Sequence, residues 1–216
     1  MKSILVIGMG RFGYNLALKL QQLGNDVMIV DKNETIITEY ASTFTNAMIG
    51  DATNMGVLRS LGINNFDICF VTMGDTFQSS LEITSQLKDL GAKYVVAKAS
   101  RDLQAKFLLK CGADEVVYPE RDMAENLAIR FNSNNVFGYV EVSSEFGIFE
   151  IAVPQKWIGK TVVETDARKN YSINIIAVKT GDNLTMLTGV DYVFTADDHL
   201  MVIGTPNAVF RLTKNN

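Results

Sequence analysis

The sequence predicts an α/β protein: a doubly wound parallel sheet of Rossmann type, followed by a small α+β domain. Three observations carry this. Up to Pro119, short apolar runs alternate with stretches of helical length. A glycine-rich GxGxxG segment follows the first run directly. Beyond Pro119 the strands become shorter and turn-separated.

Taken in order, residues 4–7, 27–30, 47–49, 68–71, 94–97 and 115–117 are Ile- and Val-rich and nearly continuous in apolar character. Strands covered on both faces read this way. Segment 12–23 is predicted as a helix with Phe12, Leu16, Leu20 and Leu23 near one face, and 77–90 as another with Leu81, Ile83, Leu87 and Leu90. Residues 54–61 and 101–111 read as shorter helices. Gly24, Gly62, Gly91 and Gly112 fall just past these helices, where a C-terminal cap favours positive φ. Residues 123–131 form a last helix before a polar break, NSNN, at 132–135. Segments 139–142 and 147–153 read as a hairpin across 143–146, and 173–179 with 184–187 as a second across 181–183. A strand at 199–203 and a helix at 207–212 complete the chain. The predicted domains are 1–133 and 134–216.

Composition narrows the function. With 216 residues, 47% hydrophobic and 20% charged, the chain has an ordinary globular balance. Twenty basic against 24 acidic residues give a net charge of −4, so a nucleic-acid partner is not expected. No apolar run approaches the roughly 18 residues of a membrane helix. Gly8, Gly10 and Arg11 interrupt the first apolar stretch, so a signal peptide is not expected. Cys69 and Cys111 lack metal-type spacing and read as buried thiols of a reducing compartment. The single histidine, His199, reads as a partly exposed strand residue opposite Leu200 and Val202. One histidine and no paired catalytic motif leave little equipment for acid–base or metal chemistry.

Gly8, Gly10 and Gly13 form the GxGxxG between a strand and a helix beginning near Phe12. In that context the first glycine makes a tight turn, the second admits a pyrophosphate and the third lets helix and strand pack closely. The helix N-terminus supplies N–H groups to the phosphates. Asp31, at the end of the second strand and 18 residues after Gly13, is placed to accept from ribose hydroxyls and to repel a 2′-phosphate. Arg11 is either a terminal-phosphate contact or a solvated helix-start charge. Asp51 and Thr53, in GDAT after the third strand, are either adenosine contacts or helix caps. Thr72, Met73, Gly74 and Asp75 end the fourth strand at the same crevice. Lys98 after the fifth strand is either a phosphate contact or a surface lysine. Phe12, Lys32, Ala52 and Thr72 complete the candidate cofactor-binding set.

IGMGRFG (7–13), VDKNE (30–34), GDAT (50–53), GADEVVYPE (112–120) and DHLMVIG (198–204) together resemble the regulator-of-potassium-conductance (RCK) family, over essentially the whole chain. Within it the chain is most similar to the small one-copy subunits of bacterial Trk/Ktr-type potassium uptake systems. The resemblance implies an N-terminal nucleotide-binding domain with a crossover helix and a C-terminal regulatory and dimerisation domain. It also implies homodimers joined in a ring, often an octamer, on the cytoplasmic face of a potassium-translocating membrane subunit. It implies ATP or ADP as ligand, ATP favouring conduction, with NAD or NADH as a further option. By resemblance Arg11 reaches the γ-phosphate, Asp31 takes the ribose, Asp51 and Thr53 flank the adenosine, and Lys98 meets phosphate. Glu120 helps to hold a divalent or sodium cation at the dimer interface; its plain alternative is a helix N-terminal acid.

Relatives often bind cyclic di-AMP in the C-terminal domain. The corresponding residues are Val162, Val163 and Ile175 as an apolar wall, Arg168 toward phosphate and Asn174 toward an adenine edge. This chain has Thr188-Gly189-Val190 where many relatives carry a proline. Two other functions fit a dinucleotide fold: a small NAD(H)-dependent oxidoreductase, and a free-standing nucleotide sensor. The short second half and lone histidine count against the first.

Overall fold

A computed structural model describes residues 1–44, 46–73, 76–186, 189 and 191–214. Gly74, Asp75, Leu187, Thr188 and Val190, used in the sequence reading, lie outside the described residues. The chain divides into two compact units, Met1–Arg121 and Asp122–Asn216.

The first unit alternates strand and helix: β1 (Ser3–Ile7), α1 (Arg11–Gln22), β2 (Asp26–Asp31), α2 (Glu34–Tyr40), β3 (Asn46–Ile49), α3 (Met55–Leu61), β4 (Ile68–Val71), α4 (Phe77–Asp89), β5 (Val95–Lys98), α5 (Asp102–Lys110) and β6 (Glu115–Val117). Its sheet is parallel throughout, in the order β3-β2-β1-β4-β5-β6. The order reverses between β1 and β4, so the connections leave in opposite directions and open a crevice at the strands' C-terminal ends. Alternation along β1 feeds two cores. Leu5 and Ile7 join Val30, Leu58, Val71, Ile83, Leu87 and Leu108 on one side. Ile4 and Val6 join Ala17, Val27, Ile29, Ile37 and Phe44 on the other.

The predicted helices are present, but not every buried face is the expected one, and one further helix forms in this unit. α1 buries Gly13 and Ala17, whereas Leu23 is 67% exposed. A helix lying this close to β1 presents small residues, and the leucines flank the contact. α2 has no counterpart in the sequence reading; Asn33 caps it, its side chain accepting from Thr35 N at 3.0 Å and Ile36 N at 3.4 Å. Gly24, Gly62, Gly91 and Gly112 all have positive φ.

The helix α6 (Pro119–Phe131) carries the chain past residue 121. The sequence reading placed a boundary at 133. The contacts assign residues from Asp122 onward to the second unit, because Ile129 packs against its core and Asn126 Nδ2 donates to Tyr139 O at 3.0 Å. That unit contains β7 (Val136–Glu141), β8 (Gly147–Ala152), α7 (Val162–Thr165), α8 (Ala167–Tyr171), β9 (Asn174–Thr180), β10 (Asn183–Met186), β11 (Asp198–Gly204) and α9 (Pro206–Thr213). The strands form an antiparallel sheet in the order β10-β9-β11-β8-β7, including both expected hairpins. One face packs Phe149, Ile151, Val178, Leu200 and Val202 against Trp157, Phe194 and the apolar stripe Ala208, Val209 and Leu212 of α9. The short α7 and α8 have no counterpart in the sequence reading, since four- and five-residue helices carry no readable period.

Candidate functional site

A cleft of about 750 Å³ opens at the switch point of the first unit's sheet. That size suits a small molecule. Its floor is the β1–α1 loop. Gly8 has φ +97°, and a Cβ there would meet Met73 Cγ at 2.7 Å. Gly13 lies beneath: a Cβ would sit 2.0 Å from Gly8 O and 2.6 Å from Thr72 Oγ1. Gly13 therefore fixes the helix against the loop and does not line the cleft. Gly10 lines it, and a Cβ there meets nothing within 4 Å. Gly10 also stands at the N-cap of α1 with no side chain to cap it, and the first turn carries no acid. The first-turn N–H groups and the positive end of the helix dipole thus meet no anion from their own helix. Such a terminus takes phosphate or carboxylate.

Thr72 lines the cleft while its buried hydroxyl points at the loop carbonyls of Gly8 and Ile7, 2.5 and 3.0 Å away. Asp31 is anchored at both oxygens: Met9 N donates to Oδ2 at 2.7 Å and Asn33 N to Oδ1 at 2.8 Å. The carboxylate ties the glycine loop to the end of β2 and keeps further lone pairs for hydroxyl donors. Lys32 and Ala52 line the cleft with Asp51. Thr53 does not; its N–H and hydroxyl donate to Asp51 Oδ1 at 3.0 and 2.7 Å. Those two bonds, the backbone one foremost, lower the Asp51 pKa. The cap of α3 is Asn54, which accepts from Gly56 N at 2.8 Å, so neither Asp51 nor Thr53 caps it.

At the far wall, Lys98 ends β5 with its side chain 12% exposed; its Nζ pairs with Glu120 Oε1 at 2.5 Å and lies 5.9 Å from the centre of the Phe12 ring. The Lys98 hydrogen bond lowers the Glu120 pKa, and the Arg11 charge adds to this. Arg11, Phe12, Lys98 and Glu120 all line the cleft. Among the described residues no three His, Cys, Asp or Glu side chains come together as a metal set. A cation at Glu120 would need oxygens from phosphate or from a second chain. The cradle fits a nucleotide: an uncapped helix end for phosphates, a fixed carboxylate for a diol, and apolar Ile7, Val30, Ile36 and Ala52 beside them.

In the second unit, Arg168 Nε donates to Asn174 Oδ1 at 2.7 Å, so these two candidate residues meet. Val163 is 60% exposed, whereas Val162 and Ile175 pack against the core and offer only part of their surface. Asp166 and Ser172, both left-handed at φ 45° and 57°, bracket α8 and aim Arg168. His199 projects opposite Leu200, stacked on Phe137 with ring centroids 4.2 Å apart and 2.8 Å from Glu150 Oε1. Lys179 reaches the same oxygen at 2.9 Å. Burial raises the Glu150 pKa, and the bonds from His199 and Lys179 bring it below the ordinary value. Cys69 is buried, its thiol pushed up to about 12 by desolvation, whereas Cys111 is half-buried at the end of α5. The expectation of two buried thiols therefore holds for Cys69 only.

Met73 lines the cleft, as its place after the fourth strand predicts, whereas sequence reasoning missed the Lys98–Glu120 pair, Met9 N as the anchor of Asp31, and Ile36 and Thr76 on the cleft wall. The DKNE cap signature before α2 was the available signal for Ile36.

A doubly wound parallel sheet with a cleft at its switch point defines a dinucleotide-type binding unit, here followed along the chain by a small antiparallel unit. The TrkA-N domain model matches residues 4–119 and the TrkA-C domain model residues 147–215. The chain belongs to this TrkA-N/TrkA-C family and is a Ktr-like member of it. It is 39% identical to the Ktr system potassium uptake protein C of Bacillus subtilis, covering 99% of this chain and 96% of that protein. It is 34% identical to the Ktr system potassium uptake protein A of the same organism, covering 94% and 91%. The GsuK channel bound to NAD has the same fold with a TM-score of 0.70 at 21% identity, over 98% of this chain and 39% of the channel chain. Among the described residues no helix is long and apolar enough to cross a membrane.

Proposed function

We propose that this chain is the nucleotide-sensing regulatory subunit of a Trk/Ktr-type potassium uptake system. The observation that carries the reading is the cleft itself: an uncapped α1 N-terminus facing a carboxylate that is pinned by Met9 N and Asn33 N. The ligand is an adenine nucleotide, with Asp31 on the ribose, the loop from Gly8 to Gly13 on the first phosphates, and Arg11 and Lys98 at the terminal phosphate. ATP and ADP then differ in their pull on Arg11, and that difference biases one conformation over another. Two chains facing each other would bring two triphosphates and two Glu120 carboxylates together, and a divalent or sodium cation would relieve the repulsion. Cyclic di-AMP is the ligand proposed for Arg168 and Asn174, with Val163 as the exposed apolar contact.

The partner is a potassium-translocating membrane subunit, to which a homo-oligomeric ring of this chain, an octamer in the proposal, attaches from the cytoplasm. No catalytic step is assigned. Among the described residues the ionisable side chains lining the cleft are Arg11, Asp31, Lys32, Asp51, Lys98 and Glu120, with no histidine or cysteine. Thermal unfolding with ATP, ADP, NADH and cyclic di-AMP in parallel tests the reading. Stabilisation by ATP and ADP is expected. Stabilisation by NADH alone, with turnover of a small carbonyl, would favour the oxidoreductase instead.

A further inference from the structure

The peptide between Gly8 and Met9 is held at both edges. It is trans, so its C=O and N–H point in opposite directions. On one side Thr72 Oγ1 donates to Gly8 O at 2.5 Å; on the other Met9 N donates to Asp31 Oδ2 at 2.7 Å. Thr72 has a single hydroxyl proton to give. Its other contact, Ile7 O at 3.0 Å, is longer, and Ile7 O already accepts from Thr72 N at 2.9 Å. The proton therefore goes to Gly8 O. Thr72 follows β4 directly, and Asp31 ends β2, on the two sides of β1. One peptide plane thus ties the ends of β2 and β4 together across β1. A rotation of that plane would break both bonds at once.

We propose that Thr72 is a positioning residue for the nucleotide's ribose: its hydroxyl fixes the Gly8–Met9 peptide, whose N–H holds the Asp31 carboxylate where a diol meets it. The proposal rests on the nucleotide reading of the cleft, with Asp31 on the ribose. Thr72 is 5% exposed, and its role needs no contact between its hydroxyl and the ligand. Without the Met9 bond, Asp31 keeps only its anchor at Oδ1, the N–H of Asn33 at 2.8 Å, and the carboxylate can pivot about it. The loss falls first on the diol contact, and less on phosphates held by the N–H groups of the α1 terminus.

The test is calorimetric titration of the full-length chain with ADP and with 2′,3′-dideoxy-ADP. Thr72→Ser and Thr72→Ala both lose the methyl group and differ from each other only in the hydroxyl. Thr72→Ser should keep the preference of the unsubstituted chain for ADP over the dideoxy ligand. Thr72→Ala should reduce that preference by about threefold to tenfold, the scale of one hydrogen bond. In an Asp31→Ala background Thr72→Ala should leave the ratio of the two affinities unchanged, since the double-mutant cycle then contains no carboxylate to position. Amide exchange gives a readout without ligand: Met9 N–H should exchange faster in Thr72→Ala than in Thr72→Ser. Equal weakening of both ligands in Thr72→Ala, a Thr72→Ser that matches Thr72→Ala, or equal exchange at Met9 in the two variants overturns the positioning role and leaves the nucleotide reading standing. An unsubstituted chain that binds both ligands equally overturns the placing of Asp31 on the ribose, and the positioning role with it. An unsubstituted chain that binds neither overturns the nucleotide reading itself.

Discussion

Gly13 and Asp198 are the two positions where a single atom decides most. At Gly13 a methyl group would lie 2.0 Å from Gly8 O, a backbone atom that has no flexible side chain to move aside. Gly13→Ala should therefore destabilise the chain by about 1–3 kcal/mol, the scale of core overpacking, and lower ADP affinity, read from denaturant unfolding and titration of the same sample. Asp198 is 1% exposed and accepts from Thr180 Oγ1 at 2.6 Å, Tyr192 OH at 3.0 Å and Thr195 N at 2.8 Å. Burial raises its pKa, and these donors more than reverse that, leaving it below the ordinary carboxylate value. Its stabilising contribution is thus fully present above the unfolded-state pKa of about 4 and is lost as pH falls through the lower folded value. Asp198→Asn should cost about 1–3 kcal/mol at pH 7, since an amide N–H₂ would face donors. The cost should shrink as pH falls below about 4, measured by urea unfolding across pH. The Gly13 contact was legible from the spacing of GxGxxG. The Asp198 network was not, because Thr180 comes opposite Asp198 only through the β9–β11 register, and Tyr192 and Thr195 lie in an irregular stretch before β11 that shows no periodic pattern.

The element that defines the site is α1, with its bare N-terminus. Gly10 has φ −65° and ψ 179°, which any L-residue adopts, and a side chain there meets nothing within 4 Å. Gly10→Asp would put a capping carboxylate where the proposed phosphate sits. Two consequences of opposite sign are expected: about 0.5–1 kcal/mol of added stability in the ligand-free chain, and at least a tenfold loss of ADP affinity from direct competition. Loss of both would point to a misfolded loop rather than an occupied one. Elements were legible in proportion to their length and to the number of core faces they cover. β1, β2, β4 and β5 read clearly because strands covered on both sides are apolar at nearly every position. α1 and α4 were found, but their buried faces differed from the expected leucine stripes. α4 buries Ser80 and Thr84 beside Ile83 and Leu87, and a hydrophobicity pattern does not count hydroxyls as core. α7 and α8 are too short to show a period, so the pairing of Arg168 with Asn174 emerged only from the fold.

At the scale of the whole molecule, the two units have separate cores. Those of the first draw on residues from Ile4 to Ala113, and that of the second on residues from Val136 to Leu212. The proposed nucleotide cleft is built wholly from the first, from Ile7 to Glu120. A ligand there stabilises whatever unfolds with the cleft, by about 2.7 kcal/mol at a hundredfold excess over its dissociation constant. Asp198→Asn weakens the other core. Because substitutions and ligands acting on residues with no shared partners add, ADP should raise stability equally in the unsubstituted chain and in Asp198→Asn, to within about 0.5 kcal/mol. Calorimetric scans of both chains, with and without ADP, give the four stabilities required. Additivity would place the nucleotide's effect in the first unit of the single chain. A gain from ADP that changes with Asp198→Asn would instead show the two cores coupled within one chain, and the coupling free energy would be the difference between the two gains.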